Sequence, residues 1–96
     1  MFDIIMTQSF TKIRFYLDRI RKKFSAHFKE CLKKRYKKIP STNFIANEFN
    51  LRAHNTETVS REAVRKWLNG VSLPKPDKLS VMGKWLDLKT DLFDES

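Results

Sequence analysis

Ninety-six residues allow one small domain with at most an appended segment, and a deep enzyme cleft does not fit a chain of that size. The chain is 41% hydrophobic with two Gly and three Pro, which is enough apolar matter for a core and excludes disorder throughout. Its charge of +9 is uneven: residues 10–38 carry 12 basic and 2 acidic side chains, a field suited to polyanionic partners.

One cysteine, Cys31, excludes an internal disulfide framework and suits a reducing compartment. Asp3 stands where a secretory signal carries Lys or Arg, and no apolar run approaches the ~20 residues of a membrane span. The expectation is a cytoplasmic protein, associated with the nucleoid when bound to DNA, and with no membrane partner.

The periodicity is helical throughout, so an all-α chain is predicted. The first helical stretch covers residues 9–38. Phe10, Ile13, Leu17, Ile20 and Phe24 step by three and four residues, and Phe28, Cys31 and Leu32 continue the stripe. A break or bend is expected near Ser25, dividing the chain into an amphipathic extension (residues 1–25) and a compact domain (residues 26–96). Pro40 ends the stretch.

Ser41 is a good N-cap for a second helix over residues 42–53, with Ile45, Ala46, Phe49 and Ala53 on one face. Ser60 caps a third helix over residues 61–69, Val59 and Val64 form a hydrophobic staple, and Gly70 closes it. Pro76 and Asp77 suit the start of a fourth helix that carries Leu79, Met82 and Leu86 and ends near Asp87. A last turn over residues 90–94 is expected to dock Leu92 and Phe93.

The third helix is the informative one. At 100° per residue, Ala63, Val64 and Trp67 gather on one side, and Arg61, Glu62, Arg65, Lys66 and Asn69 on the other. Two packed helices, the second exposing a basic polar face, form a helix-turn-helix. The B-DNA major groove admits one helix; Arg and Lys donate to guanine, and Glu accepts from the cytosine amino group.

The residues that carry a family likeness are Ile45-Ala46-Asn47-Glu48-Phe49-Asn50, then Val59-Ser60-Arg61-Glu62-Ala63-Val64-Arg65-Lys66-Trp67-Leu68-Asn69-Gly70, then Pro74, Lys78-Leu79, Lys84-Trp85-Leu86 and Leu92-Phe93. Residues 28–93 resemble the lambda-repressor/Cro type of helix-turn-helix domain, in particular a bacterial or prophage subgroup with a lengthened connection between the motif helices. The resemblance implies a compact bundle of about five helices, here with an additional N-terminal amphipathic helix. It implies base contacts from Arg61, Glu62, Arg65 and Lys66, and backbone contacts from Ser41, Thr42, Ser60, Asn69, Ser72 and Lys75.

Three features depart from that pattern. The stretch between Ala46 and Val64 is about eight residues longer than the compact motif, and Asn50 sits where Gly is usual. Lys75 and Lys89 replace small capping residues. Residues 1–25 have no counterpart.

For the extension three readings stand: a helix laid over the domain, a dimer seam made of Phe10, Ile13, Leu17, Ile20 and Phe24, or a basic amphipathic helix on an anionic membrane. Arg19, Arg21, Lys22 and Lys23 are also within reach of flanking phosphates. His27 and Cys31 have a metal-compatible spacing but are too few to form a site, and Trp67 and Trp85 sit at core spacing. The expected function is a homodimeric transcriptional regulator that represses at a double-stranded DNA operator. No catalysis, cofactor, metal or small-molecule ligand is expected. The competing reading is a helical protein-interaction module that acts through the N-terminal seam.

Overall fold

A computed structural model describes the backbone of residues 2–89 and the side chains of residues 14–89. Four helices follow one another: α1 (Phe2–Tyr36), α2 (Thr42–Arg52), α3 (Arg61–Leu68) and α4 (Pro76–Leu86), with no strand among the described residues. α3 and α4 each pack against both α1 and α2. At a rise of 1.5 Å per residue, α1 is about 52 Å long, which matches the longest dimension of the molecule, 52 Å.

The expected break near Ser25 does not occur. Ser25 is buried, and its hydroxyl donates to the carbonyl of Leu68 at the end of α3 (2.5 Å). A serine that satisfies a neighbouring helix in this way does not turn its hydroxyl onto its own backbone, which is how serine usually competes with helix. Phe24 and Phe28 flank it, both fully buried and stacked with ring centroids 5.4 Å apart, so the apolar stripe passes through without changing phase. The count of about five helices plus a separate N-terminal one is therefore corrected to four among the described residues. The extension and the first bundle helix are one element, and the division expected at residues 25 and 26 falls inside it. The turn expected over residues 90–94 lies outside the described residues.

α1 stops where Lys37 enters the left-handed region (φ 67°), its N–H bonded to the Lys33 carbonyl at 2.7 Å. The starts of α2 and α3 follow the expected caps: Ser41 Oγ accepts from the Phe44 N–H and Ser60 Oγ from the Ala63 N–H, each at 3.2 Å. Val59 and Val64 are both buried, as a staple requires. α3 ends one residue before the expected Asn69, in a Schellman arrangement: Val71 N–H reaches the Lys66 carbonyl (2.9 Å), and Gly70, at φ 69°, reaches that of Trp67 (3.3 Å). α4 starts at Pro76 without a side-chain cap from Lys75, and closes with Asp87 in the left-handed region.

The core gathers Phe24, Phe28 and Leu32 from α1, Ile45 and Phe49 from α2, Val64 and Trp67 from α3, and Met82 and Trp85 from α4. A polar network ties α1, α2 and α4 at its edge. Tyr36 OH donates to Glu48 Oε1 (3.2 Å) and accepts from Trp85 Nε1 (3.0 Å). Arg52 donates to the Glu48 carbonyl (2.7 Å) with its guanidinium 5.3 Å from the Trp85 ring centroid. Arg35 donates to the Trp85 carbonyl (3.1 Å). The indole N–H of a buried Trp needs such a partner.

Candidate nucleic-acid interface

α3 is held by one face and presents the other. Val64, Trp67 and Leu68 are buried, and the Trp67 ring meets Phe28 edge-on (6.4 Å) and Phe49 at a tilt (6.0 Å). Burying side chains of this size contributes about 1.5–3 kcal/mol each, which fixes the rotation of a short helix about its own axis. Arg61, Glu62, Arg65, Lys66 and Asn69 are all exposed, as the periodicity predicts.

Within this face Glu62 and Arg65 satisfy each other through two hydrogen bonds, Nε to Oε2 at 3.0 Å and Nη2 to Oε1 at 2.5 Å. The bond from Arg65 holds the Glu62 carboxyl below its ordinary range, and Arg61 and Lys66 act in the same sense. Arg61 and Lys66 have no ion-pair partner among the described residues. The net positive charge of the face therefore resides on those two side chains.

The backbone-contact candidates lie at helix starts and in the loop after α3. Ser41, Ser60 and Lys75 are exposed, and Thr42 and Ser72 are partly so. The Ser41 hydroxyl and carbonyl take the N–H groups of Phe44 and Ile45. The Thr42 and Asn43 N–H groups, which a helix start leaves without intrahelical partners, stay open to an anion.

The long α2–α3 connection is fixed by a residue that sequence reasoning noted only as a missing Gly. Asn50 Nδ2 donates to the Val59 carbonyl (3.0 Å), and Asn50 Oδ1 accepts from the Val59 N–H (2.7 Å). One side-chain amide thus pairs both backbone groups of a buried residue directly before the α3 cap. Further along the loop, Thr56 donates its hydroxyl to Asp77 and lies 3.4 Å from Lys78 Nζ. The Thr56 bond and, less strongly, Lys78 hold the Asp77 carboxyl below its usual range.

The expected dimer seam divides. Phe24 is fully buried in the chain's own core and Ile20 is 6% exposed, so neither offers a free surface. Leu17 is 36% exposed, next to Phe15 (68%) and Tyr16 (39%). The side chains of Phe10 and Ile13 lie outside the described residues.

His27 Nε2 lies 3.7 Å from Cys31 Sγ and accepts from the Lys89 N–H (3.1 Å), and no three His, Cys, Asp or Glu side chains converge as a metal site among the described residues. Trp67 and Trp85 are each 4% exposed and serve packing. Among the described residues no helix is long and apolar enough to cross a membrane. No family model, curated protein or solved structure matches the chain.

Proposed function

We propose that this chain is a sequence-specific double-stranded DNA-binding regulator that represses at an operator by placing α3 in the major groove. The carrying observation is the division of α3 between a face locked in the core and a face bearing Arg61 and Lys66, which have no ion-pair partner among the described residues. In this reading Arg61 and Lys66 donate to guanine edges, and Glu62 accepts from a cytosine amino group. The Glu62 pair holds the Arg65 fork at the same surface, where it meets a base or a phosphate.

The open N–H groups at the start of α2, with Ser41 and Thr42, meet one phosphate, and Ser60, Asn69, Ser72 and Lys75 meet others. A homodimer presents two such helices to an inverted repeat. The exposed Leu17 end of α1 is the surface for that association.

Binding titrations on a duplex selected by the wild-type chain test this reading. Arg61→Ala and Lys66→Ala are each expected to lose about 1–3 kcal/mol of discrimination at one base position. Unchanged affinity and unchanged base preference in both variants contradict it. Leu17→Asp separates the competing interaction-module reading. On the DNA reading it yields a folded monomer that binds a single half-site with the same base preference. If the function is protein capture through the seam, it abolishes activity while Arg61→Ala and Lys66→Ala leave activity intact.

A further inference from the structure

α1 carries more cations than its acids engage. Asp18 pairs with Arg21 (3.6 Å) and Glu30 with Lys34 (4.0 Å), while Lys22 and Lys29 have no ion-pair or hydrogen-bond partner among the described residues. Two helical turns separate them, about 10 Å along one side of α1. Both line an open groove together with Ala26, and its other wall is Leu68, Asn69 and Gly70 at the end of α3. Lys22 and Ala26 also border the adjoining hollow with Phe15 and Arg19, so the depression continues along α1 towards its N-terminal end.

Gly70 faces the Arg21 backbone across the groove; a Cβ there would lie 3.6 Å from the Arg21 carbonyl oxygen, an ordinary contact, so it is the φ of 69° and not the spacing that suits glycine. The N–H groups of Asn69, Gly70 and Val71 all return to α3 carbonyls, and the Ser25 hydroxyl is committed to Leu68. The polar side-chain groups left to the groove are two ammonium groups and the exposed Asn69 amide, all of which can donate. The one carboxylate beside the adjoining hollow, Asp18, is engaged by Arg21. Asn69 belongs both to the exposed face of α3 and to the groove, so a strand leaving that face passes between Asn69 and α1.

We propose that this groove is a second DNA-backbone site, in which Lys22, Lys29 and Asn69 hold successive phosphates of the strand flanking the α3 contact; the proposal rests on the DNA-binding reading above. Each phosphate neutralised releases counterions, so each lysine contributes about 0.9 to the slope of log affinity against log salt.

The test compares the full chain with Lys22→Ala/Lys29→Ala and Lys22→Arg/Lys29→Arg on one wild-type-selected duplex, with circular dichroism verifying the fold. The alanine pair is expected to bind more weakly with a slope about two units shallower, so the wild type loses about tenfold more affinity than the variant between 50 and 200 mM salt. Base preference stays the same, and the arginine pair restores the slope. A wild-type slope in the folded alanine pair overturns the groove while leaving the α3 reading in place. A wild-type chain that retains no DNA removes both readings.

Discussion

Asn50 shows what a single side chain contributes to positioning the α3 face. It pairs the N–H and the carbonyl of buried Val59, directly before the Ser60 cap. Asn50→Ala leaves both groups without a partner, and the expected loss is about 2 kcal/mol of unfolding free energy in a urea titration. A loss below about 0.5 kcal/mol would mean that water or a neighbour replaces the amide. The sequence offers an asparagine at this position, but the backbone opposite it lies nine residues away across an irregular loop, and no local pattern names that partner. The caps behave differently. Ser41, Ser60 and Gly70 act on residues three or four positions away, so the starts of α2 and α3 and the end of α3 are legible from local chemistry.

Cys31 belongs to the same scale. Burial pushes its thiol above the ordinary range, Glu30 and Asp87 add to the shift, and Lys34 opposes it. The neutral thiol is thus the form the fold favours. Its stabilising contribution is complete below the ordinary thiol pKa and is lost as pH rises through the raised folded value. Alkylation rates measured against pH should reach half their maximum at a higher pH in the folded chain than in the urea-unfolded chain. Coincident profiles would contradict the burial argument.

At the scale of elements, the continuity of α1 is the main departure from what the sequence conveys. The stripe from Phe24 to Leu32 is legible, and so is the absence of Pro and Gly. The reason Ser25 does not interrupt it is the Leu68 carbonyl, 43 residues away, which no window around Ser25 contains. If α1 is one helix, Ala26→Pro removes a hydrogen bond and clashes in its interior. The expected cost is about 3 kcal/mol or more, seen as a large drop in the denaturation midpoint. A proline tolerated at residue 26 with little change in midpoint would restore the two-piece description. The polar face of α3 was legible because its period is intrinsic to the helix and its buried side is apolar at the right spacing. The Glu62–Arg65 pair was legible in principle as an acid and a base three residues apart, a spacing that places them side by side.

At the scale of the molecule, one long helix carries the small bundle on its C-terminal half and extends beyond it. Residues 14–19 of α1 are all exposed, while Phe24, Phe28, Cys31 and Leu32 lie in the core. The buried part of α1 packs against α3, and on the proposed function the exposed residues 14–19 are the part left for association with a second copy and for contact with nucleic acid. The positive charge runs along the whole helix, since the +10 of residues 10–38 exceeds the net charge of the whole chain. Such a field draws any polyanion and gives no sequence preference by itself. On the proposed function, sequence preference comes from the α3 face.

Selection of binders from a randomised duplex library at near-physiological salt addresses that distinction most directly. The account predicts enrichment of an inverted repeat whose half-sites lie about 10 base pairs apart or a multiple of that, as two α3 helices on one face of the duplex require. Retention of DNA without any enriched sequence, abolished by added salt, would contradict it and leave the basic helix as a charge-driven binder alone.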